Sequence, residues 1–265
     1  MKIGFIGLGN MATAMIGGML EKGLVTSGDI IGSAKTTATI EKIMTRFNIT
    51  TVPENKKVAE QADVLFLAVK PIFLSEVIDE IKDVVRPETL IVSIAAGRTL
   101  AYLREAFGRP ELKLVRCMPN TPALVMEGCT GICAGADVTE EELQRIVGLM
   151  EAFGKASVVP ERLMDVVVGV SGSSPAYVFM FIEAMADEAV AAGMPRKQAY
   201  EFAAQSVLGS AKMVLETGMH PGELKDMVCS PGGTTIEAVK VLEEKGFRAA
   251  VMDAMEACIE KSKNM

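Results

Sequence analysis

The chain has 265 residues, of which 49% are hydrophobic and 23% charged, and its formal net charge is −7. This length suits two domains, and the composition is that of an ordered globular protein rather than a disordered or collagen-like one. The acidic balance and the lack of any long Lys/Arg run argue against a nucleic-acid surface, because such a surface must neutralise a row of phosphates.

Short apolar segments alternate with helical patterns through residues 1–160. Continuous apolar strands that alternate with helices are typical of a parallel sheet covered on both faces. A helix over residues 139–153 is predicted late in this half, where Thr139 and Glu142 would form a capping box. The predicted strands cover residues 2–6, 30–31, 64–69, 90–94, 114–117, 128–134 and 156–159.

The turn after the first strand reads Gly7-Leu8-Gly9-Asn10-Met11-Ala12, which fits the pattern G-x-G-x-x-A. Such a turn can be purely structural, but this one follows an apolar strand and opens an amphipathic helix. There, Gly7 permits the turn, Gly9 lets the backbone approach a pyrophosphate, and Ala12 lets the helix pack close to the strand. The N–H groups at the helix N-terminus would face the anion. The turn therefore predicts a dinucleotide site.

The carboxyl end of the second strand decides which dinucleotide is bound, since an acidic residue there would bind the 2′-hydroxyl of NAD. Asp29 has a suitable spacing but begins the strand, so it lies at the wrong end of the sheet. The carboxyl end carries Ser33-Ala34-Lys35-Thr36 instead. Hydroxyls and a lysine suit a 2′-phosphate, which predicts NADPH, with NADH used less well. The alternative is that Lys35 is a solvated residue at a helix start.

From residue 161 onward the strand pattern stops, so we place a domain boundary between residues 160 and 161. A helix over residues 175–192 has no polar face for two turns. A helix that is apolar all round must be buried on all sides, which predicts a partner chain. Burial against the first domain of the same chain remains the alternative. The apolar stretch 166–182 carries Ser171 and Pro175 near its centre, which we expect to break a membrane-spanning helix.

The segment Cys229-Ser230-Pro231-Gly232-Gly233-Thr234-Thr235 opens another helix. Thr234 or Thr235 could serve only as the N-cap. However, a cap needs one hydroxyl, whereas this loop offers three hydroxyls and consecutive glycine N–H groups at a helix N-terminus. That combination is a good receptor for a carboxylate.

The five cysteines are scattered among apolar residues, and His220 is the single histidine. An odd number of unclustered cysteines predicts free thiols in a reducing compartment, so we expect a cytoplasmic protein. A structural zinc site needs about four ligands close together. The sequence has no Cys-x-x-Cys pair, and we expect no metal site.

Taken in chain order, these segments resemble the Δ1-pyrroline-5-carboxylate reductase family over the whole length of the chain. The most specific match is Ser230-Pro231-Gly232-Gly233-x-Thr235. The other matching segments are Gly4-Phe5-Ile6-Gly7-x-Gly9-x-Met11-Ala12, Ala68-Val69-Lys70-Pro71, Ala95-Ala96-Gly97, Met118-Pro119-Asn120-Thr121-Pro122 and Ser171-Gly172-Ser173-x-Pro175-Ala176-Tyr177. Ser174 departs from the family, which usually has glycine there.

The resemblance implies an α/β fold: an N-terminal Rossmann-like, doubly wound parallel sheet that binds NADPH (residues 1–160) and an all-helical substrate and dimerisation domain (residues 161–265). It implies a homodimer, assembled into a larger ring of dimers. It also implies further cofactor-binding residues, namely Asn55, Ala68, Val69, Lys70, Pro71, Ala95, Ala96 and Asn120. The substrate would be held by Ser230, Gly232, Gly233, Thr234 and Thr235, with Thr235 as the catalytic residue.

The implied reaction is hydride transfer from NADPH to the cyclic imine Δ1-pyrroline-5-carboxylate, which gives proline. A protonated imine already carries the positive charge that a hydride seeks, so no general base is required. One alternative is a β-hydroxyacid dehydrogenase, whose family relies on a catalytic lysine early in the second domain. No Lys or Arg occurs between Asp165 and Met194. A non-catalytic NADPH-binding protein is the other alternative, because fold does not fix function.

Overall fold

A computed structural model describes all 265 residues of the chain. The chain forms two compact units, Met1–Ser173 together with Cys258–Met265, and Ser174–Ala257. The first unit therefore extends beyond the boundary expected at 160/161. One reason is that Met164 is buried, and another is that the Ser262 hydroxyl donates to the Asp165 carboxylate over 2.6 Å. These contacts hold the helical turns after residue 160 and the end of the chain in the first unit.

Eight strands and twelve α-helices build the chain, joined by short 3₁₀ turns. The strands are β1 (Ile3–Ile6), β2 (Ile30–Ser33), β3 (Thr50–Val52), β4 (Val64–Leu67), β5 (Leu90–Ser93), β6 (Lys113–Met118), β7 (Gly128–Ala134) and β8 (Gly154–Val158). The helices are α1 (Asn10–Glu21), α2 (Thr37–Phe47), α3 (Asn55–Gln61), α4 (Leu74–Ile81), α5 (Leu100–Phe107), α6 (Glu140–Glu151), α7 (Met164–Val167), α8 (Ser174–Ala191), α9 (Arg196–Thr217), α10 (Pro221–Val228), α11 (Thr234–Glu244) and α12 (Phe247–Lys263).

All eight strands form one sheet in the order β3-β2-β1-β4-β5-β6-β7-β8. Every pair is parallel except β6 and β7, which run antiparallel. The fold expected from the sequence, a mainly parallel doubly wound sheet followed by a helical segment, is confirmed. The short edge strand β3 reads Thr50-Thr51-Val52 and has no apolar run, so the sequence pattern does not predict it.

Helices cover both faces of the sheet because successive residues of each strand point large apolar side chains to opposite faces. Phe5 of β1 stacks on Phe66 of β4 with ring centroids 4.8 Å apart, on the face that packs against α1 and α6. The neighbouring residues Ile6 and Leu65 face the opposite core, which α3, α4 and α5 cover. Both cores are fully buried, which gives the carboxyl ends of the strands a rigid base.

Helix α6 begins as the sequence predicts. Thr139 accepts a hydrogen bond from the Glu142 backbone N–H, and the Glu142 carboxylate accepts one in return from the Thr139 N–H. This reciprocal capping box satisfies two backbone donors that a helix start otherwise leaves unpaired. Hydrogen bonds from Lys113 and Thr139 lower the pKa of Glu142 against the opposing effect of its partial burial.

Helical structure continues through residues 166–182 with one interruption near the expected position. A π turn at Val168–Gly172 ends in a bend at Ser173, and α8 begins at Ser174. Pro175 is tolerated because it lies in the first turn of α8, where a backbone N–H has no helical partner. The segment Glu161–Ala191 is long and apolar enough to cross a membrane by length and composition alone, with 11% of that window buried.

The second unit buries little of its apolar surface within a single chain. Its fully buried residues are all alanines: Ala186 on α8 with Ala199 and Ala203 on α9. Large apolar side chains of α8 stay exposed, including Phe179 at 62% and Met180 at 69%. Monomeric proteins rarely expose so extensive an apolar surface. The exposure favours a partner chain over burial within the same chain.

Candidate functional site

The glycine turn joins β1 to α1 at the carboxyl edge of the sheet. Gly7 has a φ of 95°, and a Cβ at this position would lie 2.6 Å from the carbonyl oxygen of Ala68. Both features require glycine. Gly9 is different, because a Cβ there would meet no protein atom within 4 Å. Nothing in the protein itself therefore requires glycine at position 9, which fits a backbone left open for a ligand.

A cavity of about 570 Å³ opens beside this turn and lies entirely within the first unit. It contacts the starts of α1 and α3 and the ends of β1, β2 and β4. The residues expected to bind the cofactor that line it are Gly7, Leu8, Gly9, Asn10, Ser33, Ala34, Lys35, Asn55, Ala68, Val69 and Lys70. The sheet thus brings together most of that set from four separate segments.

Six residues of the expected cofactor set do not line the cavity. Ala12 is buried in the core, where it lets α1 pack on the sheet. Asn120 is also buried, and its amide is used within the protein: Nδ2 donates to the Ser171 carbonyl over 3.0 Å, and Oδ1 accepts from the Cys129 N–H over 2.8 Å. The remaining four are Met11, Pro71, Ala95 and Ala96.

The hydrogen bond from Asn120 to the Ser171 carbonyl ties the π turn Val168–Gly172 to the loop after β6.

The end of β2 brings one lysine to the cavity. Lys35 lines the cavity, and its Nζ lies 5.6 Å from the centre of the Phe73 ring. Thr36 is the N-cap of α2. Asp29 lies just before β2, where its carboxylate accepts hydrogen bonds from the hydroxyl and N–H of Thr26. Those bonds lower the pKa of Asp29, and its carboxylate is committed to this local turn.

The Ser33 hydroxyl is fully buried and donates to the Asn55 side-chain oxygen over 2.7 Å. The Asn55 amide nitrogen in turn donates to the Glu80 carboxylate over 2.7 Å. A carboxylate can only accept hydrogen bonds, so Glu80 requires the Asn55 amide nitrogen to face it. The Asn55 side-chain oxygen then faces Ser33 and accepts the hydrogen bond from the single proton of its hydroxyl. Ser33 therefore positions Asn55, rather than offering a free donor to a phosphate.

Several cavity residues were not recognised from the sequence. Glu76 and Glu80 on α4 line it, although no acidic residue was expected near a 2′-phosphate. Their position follows from the packing of α4, which no local motif reveals. Thr39 and Lys42 on α2 also line it. Thr36, Thr39 and Lys42 follow one another at intervals of three residues, and this spacing is a signal that could have found them.

The Ser230–Thr235 loop lies in the second unit and closes a tight turn before α11. Gly232 has a φ of 67°, and the Gly233 N–H donates to the Ser230 carbonyl over 3.0 Å. That N–H is used within the turn, so the binding of a carboxylate by Gly233 stays a prediction. The N-cap of α11 is Gly233, so neither Thr234 nor Thr235 caps the helix.

The hydroxyls of both threonines, and that of Ser230, are therefore not explained by capping.

The buried cysteines do not have the properties of reactive nucleophiles. Burial raises the pKa of the Cys117 thiol, and burial raises that of Cys133 to about 11 despite the nearby Arg116. A thiol with a raised pKa carries little thiolate near neutral pH. No group of three or more His, Cys, Asp or Glu side chains is arranged to hold a metal ion.

The mainly parallel sheet, the glycine turn at a helix N-terminus and the basic end of β2 define a dinucleotide-binding oxidoreductase fold. Two family models match the chain. Residues 161–265 match pyrroline-5-carboxylate reductase dimerisation, and residues 2–97 match a family described as NADP oxidoreductase, coenzyme F420-dependent.

Relatives and solved structures extend the match to the full length. The pyrroline-5-carboxylate reductase of Escherichia coli is 54% identical over 264 residues, covering 100% of this chain and 98% of the relative. The solved reductase of Coxiella burnetii has a TM-score of 0.91 at 33% identity, over 99% of this chain and 97% of that one. A Plasmodium falciparum reductase solved with NADP bound has a TM-score of 0.89 at 31% identity, covering 99% and 97%.

The chain belongs to the pyrroline-5-carboxylate reductase family. Its cofactor is NADP in the reduced form, and the helical segment is a dimerisation domain, so the protein is a homo-oligomer. The apolar helix Glu161–Ala191 belongs to this dimerisation segment. A partner chain accounts for its exposed apolar side chains without a membrane.

Proposed function

We propose that the protein reduces Δ1-pyrroline-5-carboxylate to L-proline with NADPH in the cytoplasm, as the last step of proline biosynthesis. The observation that carries this proposal is the turn Ser230–Thr235, whose three hydroxyls are not explained by helix capping. Membership of the family supports the reaction. The five free cysteines support a reducing compartment.

The cavity of the first unit fits the adenosine and pyrophosphate parts of NADPH. The space beside Gly9 would receive the pyrophosphate, where the N-terminus of α1 favours negative charge. Lys35 would bind the 2′-phosphate, and Asn55, held by Glu80, would contact the neighbouring ribose. When bound, the cofactor supplies the hydride. We propose that Met11, Pro71, Ala95, Ala96 and Asn120 support these groups rather than line the cavity.

The substrate loop would act mainly by positioning. The N–H groups of Gly232 and Thr234 and the Ser230 hydroxyl would hold the substrate carboxylate near the positive end of α11. The Thr235 hydroxyl would hydrogen-bond the ring nitrogen, which fixes the face and distance of the imine carbon. Because the protonated imine is already electrophilic, the side chains do not need to remove a proton from it.

For the assembly, we propose homodimers joined into a larger ring. The exposed apolar side chains of α8 and α9, such as Met180 and Phe202, support an extensive interface between chains. The dimer would bury the apolar faces that a single chain leaves open.

Thr235 variants test the proposed substrate site. Thr235→Val keeps the shape and β-branching but removes one hydrogen bond to a charged group, which costs about 1.5–3 kcal/mol, or ten- to a hundredfold in kcat/KM for the imine. Thr235→Ser should recover much of the rate. Thr234→Val is the matched control, since Thr234 would act through its backbone N–H.

Because Gly233 caps α11, the melting temperature should not change in any of these variants. Wild-type kcat/KM in Thr235→Val would remove Thr235 from the mechanism.

A further inference from the structure

One face of α2 forms a wall of the cofactor cavity. Thr39, Lys42 and Ile43 all line the cavity, and residues three and four apart lie on the same face of a helix. Ile43 is buried and anchors this face to the core, whereas Lys42 is exposed. The face is therefore held in place by packing while its lysine stays free to meet a ligand.

The polar groups on this face lead back to the end of β2. Thr36 caps α2, and its hydroxyl lies 2.8 Å from that of Thr39. Side chains on a helix lean towards its N-terminus, so we expect the long stem of Lys42 to extend over the preceding turn, which contains Thr39. Lys35 precedes Thr36 directly in the chain. Lys35, Thr36, Thr39 and Lys42 thus line one cavity together.

The other charged groups of the cavity indicate what Lys42 could bind. Lys42 has no ion pair within the chain, and the ammonium group of Lys35 lies over the Phe73 ring. Glu76 and Glu80 on α4 line the same cavity. A phosphate monoester carries a charge of about −1.5 to −2 near neutral pH and would be repelled by these carboxylates. Lys70 also lines the cavity, on the segment after β4, whereas Lys42 lies on the helix whose N-cap directly follows Lys35. A cation at Lys42 would offset that repulsion at the end of β2.

We propose that Lys42 is a specificity-determining residue that binds the 2′-phosphate of NADPH together with Lys35. This inference rests on the proposed placement of that phosphate at the end of β2. The 2′-phosphate is the only group that distinguishes NADPH from NADH, so Lys42 stabilises one cofactor and leaves the other unaffected.

The test is calorimetric titration of the full chain with NADPH, NADH and adenosine 2′,5′-bisphosphate. Lys42→Met removes the charge and keeps the length of the stem. We expect about five- to twentyfold weaker binding of NADPH and of the bisphosphate, with NADH within about twofold of wild type. Lys42→Arg should keep the preference. The loss should shrink as salt is raised, because ions screen an exposed charge.

Arg46→Met is the matched control, because it removes the same charge from α2 at a position outside the cavity. It should leave all three affinities unchanged. Equal weakening of NADPH and NADH by Lys42→Met, or no weakening of either, would overturn the role of Lys42. Lys35→Met distinguishes a wrong role for Lys42 from a wrong placement of the 2′-phosphate. If it too leaves the NADPH preference intact, the proposed placement of the 2′-phosphate is wrong.

Discussion

Gly7 and Gly9 lie two residues apart in one turn, yet alanine substitutions at the two positions should have opposite effects. At Gly9 a Cβ meets no protein atom within 4 Å, and φ is −75°, a value open to any residue. Gly9→Ala should therefore fold with a wild-type melting temperature. Its methyl group would occupy the space proposed for the pyrophosphate.

The size of each effect follows from the geometry. The methyl group of Gly9→Ala would remove one hydrogen bond between the backbone of the turn and the charged pyrophosphate. Such a loss costs roughly 1.5–3 kcal/mol, so NADPH binding should weaken about ten- to a hundredfold. At Gly7, the left-handed backbone alone costs about 1–2 kcal/mol in a non-glycine residue. The 2.6 Å approach to the Ala68 carbonyl oxygen adds overpacking of about 1–3 kcal/mol. Gly7→Ala should lower the melting temperature by roughly 5–15 °C.

Scanning calorimetry and NADPH titration on the same two variants measure both quantities. Gly7→Ala should lose stability, and Gly9→Ala should lose affinity for NADPH and NADH alike because both carry the pyrophosphate. A Gly9→Ala protein that binds NADPH as tightly as wild type would refute the proposed position of the pyrophosphate. A Gly9→Ala protein with a markedly lower melting temperature would refute the claim that this position is open for a ligand.

Two further predictions concern assembly and pH. Met180 is 69% exposed in the single chain, so Met180→Glu should place a charge in the dimer interface and shift the protein towards monomers in analytical ultracentrifugation. The control Lys56→Glu on α3 should leave the oligomer unchanged. An unchanged oligomer in Met180→Glu would exclude Met180 from the interface. Hydrogen bonds from the Lys2 N–H and from Arg86 lower the pKa of the Asp63 carboxyl below 3.8 in the folded protein. The ionised carboxylate therefore stabilises the folded state above about pH 4, and this stabilisation is lost as the pH falls through the lower native pKa. Asp63→Asn should therefore melt below wild type at pH 7, with a difference that shrinks below pH 4, and a difference independent of pH would contradict this assignment.

Much of the first unit follows from local patterns. The continuous apolar runs predict the buried strands, and Thr139 with Glu142 predicts the start of α6 to the residue. The glycine turn also lies where its pattern indicates, because the geometry of a tight turn is encoded by adjacent residues. The polar strand β3 and the antiparallel direction of β7 depend on packing across the sheet, which no local pattern records.

The site shows the same division between local and long-range information. Lys35 and Asn55 line the cavity as expected. The partners that orient Asn55 could not be read from the sequence, because Ser33 and Glu80 lie 22 and 25 residues away along the chain. The π turn at Val168–Gly172 could not be read from the sequence either, because it depends on tertiary contacts. Asn120 supplies one such contact.

The central claim is hydride transfer from NADPH to the cyclic imine. The most direct measurement is the loss of NADPH absorbance after Δ1-pyrroline-5-carboxylate is added to the purified full-length protein, with the product resolved by chiral chromatography. The proposed function predicts one L-proline formed for each NADPH consumed, and slower turnover with NADH. NADPH that binds without being oxidised in the presence of this imine would contradict the account.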